Sequence, residues 1–185
     1  MKKIKCISRS CEYIITFILV ALPITYVMFW LQAPQAIHYG EPGALWHLSM
    51  SYIPPHIVIA TPLSWQSKSI GALIGLLPFS LEFLCFYFLR QLFNRFKQGI
   101  TFHRDTVSAL KNSATCLFLG QLISPFYQAL QTANLTWHNP HGQRVIAISF
   151  SQYDLTLLVI ALMISIVAWV FSEGERLAEN DRLTI

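Results

Sequence analysis

The sequence predicts an all-α membrane protein with four transmembrane helices. The chain has 185 residues, of which 54% are hydrophobic and only 12% are charged. These proportions lie outside the range of soluble globular domains. Four apolar runs are each close to the roughly 17–25 residues that cross a hydrocarbon core of about 30 Å. The predicted spans are 13–31, 70–89, 109–130 and 155–171.

The first apolar run follows a short basic N-terminus, as the core of a secretory signal peptide also does. It is longer than the roughly 7–15 apolar residues of a signal peptide, and no clear cleavage site with small residues follows it. We therefore expect an uncleaved first span. The four spans leave too little chain for a separate soluble domain, so we expect one domain with two sizeable loops, 32–69 and 131–154.

Lysine and arginine lie mainly on one side of the predicted spans. The N-terminal segment has four of them and loop 90–108 has four more, whereas loops 32–69 and 131–154 have one each, Lys68 and Arg144. Loops rich in lysine and arginine stay in the cytoplasm. We therefore predict a cytoplasmic position for both termini, loop 90–108 and the tail 172–185, and an exterior position for the other two loops.

The second span is expected to continue into the cytoplasmic loop as an amphipathic helix. Leu89, Leu92 and Phe96 recur at helical spacing. Gly99 is suited to end this helix with a left-handed cap, and Thr101 is suited to cap the next one. The basic residues of the loop either set the topology and contact lipid phosphate or bind a partner protein. The partner-docking candidates are Arg90, Arg95, Lys97 and Arg104, together with Glu173, Glu175 and Glu179 of the acidic tail.

One carboxylate lies inside a predicted span. Gly71 and Gly75 form a G-x-x-x-G pair that permits close approach of another helix, and Glu82 projects from the same helical face. We therefore expect Glu82 to point into a packed interface rather than into lipid. It is either a site for a proton, a cation or another ligand, or a structural hydrogen-bond donor. The predicted partners on the third span are Thr115, Gln121 and Ser124, on a polar face that also carries Ser113, Gly120 and Gln128.

The third loop contains a strong turn signal, Asn139-Pro140-His141-Gly142, between residues 135–137 and 145–150. This pattern predicts a β hairpin, to which residues 57–60 of the first loop would add a strand, so we expect a small exterior β cap. His138 and His141 have a workable spacing for a metal. They straddle a turn in a loop with few acids and no cysteine, and we expect neither a metal nor a cofactor.

The sequence contains no familiar catalytic motif. It has no G-x-S-x-G, no H-E-x-x-H, no phosphate-binding loop and no pair of carboxylates inside a span. It also lacks Cys-x-x-Cys, which argues against a thiol oxidoreductase. We therefore expect a protein that is not an enzyme.

Two segments carry a resemblance, LFNRFKQGITFHRDTVSALKN and the tail WVFSEGERLAENDRLTI. The features are an aromatic and basic run that ends in Lys97-Gln98-Gly99, the following Thr101-Phe102, and the acidic Glu173-Gly174-Glu175 with residues 179–185. They resemble a family of small bacterial four-helix membrane proteins catalogued as a domain of unknown function, DUF2975, in which Phe-Thr is commoner than Thr-Phe. The resemblance covers the last three spans and supplies no catalytic residues. It implies a bacterial inner membrane and a cytoplasmic regulatory partner, since family members are often encoded beside a small helix-turn-helix regulator.

Two functions remain open at the level of sequence. The first is a non-catalytic inner-membrane protein that acts as an accessory subunit or a regulator through a protein partner in the membrane or cytoplasm, without direct contact with nucleic acid. The second is a small transporter or an oligomeric channel that uses Glu82 and the polar face of the third span. A homo-oligomer is compatible with both.

Overall fold

The computed structural model contains four long helices and describes residues 2–32, 64–99, 104–148 and 152–183. Helices that are consecutive in the chain pack against each other, α1 on α2, α2 on α3 and α3 on α4. The prediction of an all-α chain with four helices is confirmed. The helices are α1 Lys2–Gln32, α2 Trp65–Gln98, α3 Arg104–Thr136 and α4 Gln152–Leu183.

Three helices are long and apolar enough to cross a membrane. Their candidate spans are Ile7–Leu31, Trp65–Gln98 and Asp154–Arg176, and each contains the span predicted from the sequence. Helix α3 contains the predicted third span, 109–130. This helix is long enough to cross a membrane, but within the described chain it is not among the helices that are apolar enough to do so. The reason is its composition, because the buried side of α3 is rich in serine, threonine and glutamine. Of the four predicted spans, those in α1, α2 and α4 therefore have the length and apolar composition of a membrane span.

The outward faces of the three apolar helices carry large hydrophobic side chains. On α1 these include Phe17, of which 75% is exposed, and on α4 they include Trp169, of which 68% is exposed. Exposure of so many apolar side chains is unfavourable in water and favourable in a lipid bilayer. The structure therefore agrees with the composition in describing a membrane protein.

Helix α1 packs on the two glycines of α2. A Cβ atom at Gly71 would overlap Cη2 of Trp30, and one at Gly75 would lie 2.8 Å from the hydroxyl oxygen of Tyr26. The Tyr26 hydroxyl donates a hydrogen bond to the carbonyl oxygen of Ala72. The predicted role of the G-x-x-x-G pair in close helix approach is confirmed, and the helix that approaches is α1.

Both ends of α2 are capped. The Ser64 hydroxyl accepts a hydrogen bond from the backbone N–H of Ser67 at 3.2 Å. At the other end Gly99 has φ 83°, and its N–H donates to the carbonyl oxygens of Arg95 and Phe96. The expected left-handed cap at Gly99 is confirmed. The expected cap at Thr101 lies outside the described residues.

The expected exterior β cap is wrong for the residues that the structure describes, which contain no strand. Residues 135 and 136 are not a strand because α3 continues to Thr136. The turn itself does form, with Gly142 at φ 93° and a hydrogen bond of 3.0 Å from the Gln143 N–H to the Pro140 carbonyl oxygen. The extended segment 143–148 then returns along α3, where threonine hydroxyls replace the partner strand. Residues 57–60, the expected third strand, lie outside the described residues.

The two glycine environments allow a matched stability test. Replacing Gly71 by Ala is expected to lower the free energy of unfolding by about 1–3 kcal/mol, because the new methyl group overlaps the buried ring of Trp30. Replacing Gly120 by Ala is expected to raise it by about 0.5–1 kcal/mol, because no atom lies within 4 Å of the added Cβ and alanine favours the helix. Thermal unfolding in detergent, followed by circular dichroism, measures both. Equal effects at the two positions would contradict the packing of α1 on Gly71.

Candidate functional site

The basic end of the helix assembly is the end at which α1 begins, α2 ends and α3 begins. Two ion pairs connect the helices there. Lys97 Nζ on α2 lies 3.0 Å from Glu12 Oε2 on α1, and only 16% of the Glu12 side chain is exposed. Arg95 Nη2 on α2 lies 3.7 Å from Asp105 Oδ2 on α3. Arg95 and Lys97, which were candidates for binding a partner, therefore have acidic partners within the chain.

Glu12 and Asp105 were not predicted as these partners from the sequence. The sequence feature that could have indicated them is that each is a single acidic residue in a segment that is otherwise basic. Arg90 and Arg104 differ from the two paired cations. Both are exposed, and neither forms an ion pair within the described ranges. The unneutralised positive charge of the docking candidates therefore lies at Arg90 and Arg104.

The acidic tail belongs to α4. Glu173 Oε1 lies 2.6 Å from Arg176 Nη2 one turn further along the same helix, and the Glu175 side chain is half-buried. Glu179 lies within α4, but its side chain is outside the description. The described pairing of the tail is therefore within its own helix, and the basic residues Arg95 and Lys97 pair with Asp105 and Glu12 instead.

Glu82 lies in the middle of α2 and is half-buried. In the part of the chain that the structure describes, its carboxylate has no hydrogen bond and no ion pair. The helix register follows from the hydrogen bond of 2.8 Å between Asn134 Nδ2 and the Ser67 carbonyl oxygen, and from the Arg95–Asp105 pair. Between these two points Glu82 comes level with residues 118 and 119 of α3. Glu82 is thus only partly packed against the protein, as predicted in part. No hydrogen-bond donor to its carboxylate is found among the described residues.

The predicted partners of Glu82 on α3 lie in three different environments. The Thr115 side chain is exposed, and its hydroxyl donates to the carbonyl oxygen of Lys111 at 2.9 Å. Gln121 is half-buried, and its Oε1 has no hydrogen-bond partner in the described ranges. Ser124 is buried, and its hydroxyl accepts from Gln128 Nε2 at 3.2 Å. These side chains do not join Glu82 in one hydrogen-bonded site, and a ligand role for them stays a prediction.

The most deeply buried polar groups lie nearer the end of α3. Gln131 is 1% exposed, and both of its amide atoms lack a hydrogen-bond partner among the described residues. Leaving such a group unpaired costs about 1–3 kcal/mol. Thr132 and Thr136 are also 1% exposed, but both are paired. The Thr132 hydroxyl donates to the Gln128 carbonyl oxygen at 2.8 Å and accepts from the Ala147 N–H at 3.0 Å.

Thr136 repeats this arrangement one turn later. Its hydroxyl donates to the Thr132 carbonyl oxygen at 2.8 Å and accepts from the Val145 N–H at 3.2 Å. Threonines four residues apart therefore accept hydrogen bonds from the backbone N–H groups of Val145 and Ala147 in segment 143–148. This role was not predicted from the sequence, where its only signal is the i, i+4 spacing of the two threonines.

A groove lies between the first turns of α2 and the last turns of α3, at the end opposite the basic end. We call it the outer groove, and its volume is about 350 Å³. At its mouth Ser67 Oγ lies 3.1 Å from His138 Nδ1, and Asn134 Nδ2 donates to the Ser67 carbonyl oxygen. Its lining residues are Gln66, Ser67, Ile70, Ile74, Leu130, Ala133, Asn134, Trp137 and His138.

The outer groove also bears on the two histidines considered as metal ligands. His138 contacts Ser67, whereas His141 is an exposed turn residue. No group of three or more histidine, cysteine, aspartate or glutamate side chains within the described ranges has the arrangement of a metal site. The groove could not be predicted from the sequence because its two walls are about 60 residues apart in the chain, and only the register of α2 against α3 brings them together.

The threonine contacts generate a second matched test. Replacing Thr136 by Val removes the acceptor for the Val145 N–H, and the free energy of unfolding is expected to fall by about 1–2 kcal/mol. Amide hydrogen exchange at Val145 and Ala147 is expected to become faster. Thr115→Val is the control, since that hydroxyl is exposed and bonds only within its own helix. Unchanged exchange in the Thr136 variant would disprove the proposed attachment of the segment.

Comparison with known proteins places the chain in a family. The comparisons with curated proteins and with solved structures found no match. A family model described as a protein of unknown function, DUF2975, matches residues 47–185. This range includes all of α2, α3 and α4 and most of the chain. The chain therefore belongs to the DUF2975 family, the family indicated by its basic loop and acidic tail.

Proposed function

We propose that this chain is a non-catalytic protein of the bacterial inner membrane that acts as an accessory subunit or a regulator through a protein partner. The observation that supports the proposal is the uneven use of charge at the basic end. Lys97 and Arg95 are neutralised by Glu12 and Asp105, whereas Arg90 and Arg104 are exposed and have no carboxylate partner among the described residues. Positive charges that do not stabilise the fold are available to bind an acidic surface.

The proposed orientation follows from the same charges. Lysine and arginine at the ends of membrane helices favour the cytoplasm, so the basic end and both termini face the cytoplasm. Helix α3 is the fourth span in this arrangement. Its 33 residues reach about 50 Å, which exceeds the hydrocarbon thickness of about 30 Å. Its packing on α2 and α4 keeps its polar side chains away from lipid.

The chemistry of Arg90 and Arg104 favours a partner with exposed carboxylates. Arginine presents a planar fork of donors that matches a carboxylate in two hydrogen bonds. A small helix-turn-helix regulator, as the family resemblance implies, is the proposed cytoplasmic partner. In this arrangement the partner contacts nucleic acid and the membrane protein does not.

The partner proposal is tested by purifying the tagged protein from its native membrane in mild detergent and identifying the proteins that co-purify in stoichiometric amount. The double variant Arg90→Gln and Arg104→Gln is expected to reduce the co-purified partner about tenfold, if each lost contact contributes about 0.7 kcal/mol. Arg144→Gln is the charge-matched control, because Arg144 is exposed at the opposite end. A partner that stays bound to the double variant, or a homo-oligomer without any partner, would overturn the proposal.

The second candidate function is a small transporter or an oligomeric channel. The half-buried carboxylate of Glu82, inside an apolar span and without a partner in the described ranges, favours it. A carboxylate in a membrane span is costly, and such groups commonly serve ion or proton transport.

The transport hypothesis predicts that Glu82→Gln abolishes flux while the helices stay folded. Protein reconstituted in vesicles is assayed for proton and alkali-cation flux, and circular dichroism reports the helix content. Glu173→Gln is the control, since Glu173 pairs with Arg176 near the end of α4, at the edge of the apolar span. A decrease of at least about tenfold in flux, equivalent to 1.4 kcal/mol, would support transport. Equal flux in the variant and the wild type would assign Glu82 a structural role.

A further inference from the structure

The outer groove joins two kinds of surface. Ile70 on α2 and Leu130 on α3 form apolar walls that are 49% and 58% exposed, and the small side chain of Ala133 leaves space between them. These residues belong to the part of the assembly next to lipid, because α2 is a candidate membrane span over Trp65–Gln98. The walls therefore suit an acyl chain that enters from the bilayer.

The mouth of the groove is polar and basic. Arg144 Cζ lies 5.6 Å from the centre of the Trp137 ring, which lines the groove, and Arg144 Nε donates to the Asn139 carbonyl oxygen at 3.2 Å. This arrangement holds the guanidinium group beside the groove, where no carboxylate pairs with it in the described chain. The exposed His138 ring adds a hydrogen-bonding group at the same place, where its Nδ1 lies 3.1 Å from the buried Ser67 Oγ.

The tryptophans at this end indicate the depth of the mouth. Trp65 and Trp137 are 75% and 64% exposed, and Lys68 Nζ lies 4.8 Å from the centre of the Trp65 ring. Tryptophan side chains favour the headgroup region of a bilayer. The exposed tryptophans therefore favour a headgroup depth for the mouth of the groove, and α2 has no acidic residue in its first turn to oppose an anion there.

We propose that the outer groove binds one lipid with an anionic phosphate headgroup, taken from the leaflet at this end of the helices. One acyl chain lies between Ile70, Ile74 and Leu130, and the phosphate is bound by the exposed guanidinium group of Arg144. The volume of about 350 Å³ is within the range of about 300–1,000 Å³ for small-molecule sites. The site is expected to prefer anionic over zwitterionic lipids, because the cationic amine of a zwitterionic headgroup already balances the charge of its phosphate.

The experiment uses the full-length protein, purified in detergent and depleted of lipid. Native mass spectrometry counts the molecules retained after mixing with phosphatidylglycerol or with phosphatidylcholine of the same acyl chains. One phosphatidylglycerol is expected to stay bound, in preference to phosphatidylcholine. Arg144→Gln is expected to reduce this preference about fivefold, the contribution of one cation near an anionic lipid surface. Arg90→Gln, at the basic end, is the charge-matched control and is expected to leave the preference unchanged.

A second pair of variants tests the groove itself. Ile70→Trp fills the groove and is expected to abolish retention of both lipids, whereas Val20→Trp adds the same ring at an exposed position of α1 and is expected to retain them. Circular dichroism shows that each variant is folded. Equal retention of the two lipids by the wild type would overturn the phosphate site, and unchanged retention in Ile70→Trp would overturn the groove. Absence of any retained lipid, because another part of the chain or a second copy fills the groove, would overturn the proposal as a whole.

Discussion

The polar face of α3 cannot lie against hydrocarbon, and the arrangement of the other helices depends on that constraint. Of the seven largest fully buried side chains in the described part of the chain, six are polar, and all seven are on α3. In lipid a polar side chain without a partner is costly, so α3 needs protein on its polar side. Helices α2 and α4 provide that protein, and their own outward faces are apolar. The assembly therefore has a polar interior and an apolar exterior.

Small residues make this packing possible. Helix α1 comes close to α2 because Gly71 and Gly75 leave room for the rings of Trp30 and Tyr26. Buried alanines on α4, Ala161 and Ala168, lie seven residues apart on one face of that helix. In a bilayer the surrounding lipid gives no hydrophobic drive for helix association, and close van der Waals contact and hydrogen bonds provide it instead. Hydrogen bonds to α3 also hold segment 143–148, because threonine hydroxyls accept from its backbone N–H groups in place of a partner strand.

The two ends of the helices differ in the use of charge. At the basic end, ion pairs from α2 to Glu12 on α1 and to Asp105 on α3 link three helices, and two docking candidates, Arg90 and Arg104, remain exposed. At the other end, Lys68 and Arg144 stack on tryptophan rings beside the outer groove. The region shared with the DUF2975 family, 47–185, contains the outer groove and the two exposed arginines, whereas Glu12, Tyr26 and Trp30 lie outside it. The side chains through which α1 contacts α2 thus lie outside the matched region.

The sequence by itself determined the helices, three of the spans, the glycine contact and the cap at Gly99, because each depends on local composition or short helical spacing. It also indicated the family through the basic loop and the acidic tail. The tertiary structure decided which charges are paired, since Glu12 and Lys97 are 85 residues apart in the chain and meet only when α1 packs on α2. It decided against a β hairpin because α3 extends to Thr136 and its threonines hold segment 143–148. It also created the outer groove, whose walls come from two helices. The hydrophobic periodicity of a single helix cannot predict a space that forms between two helices.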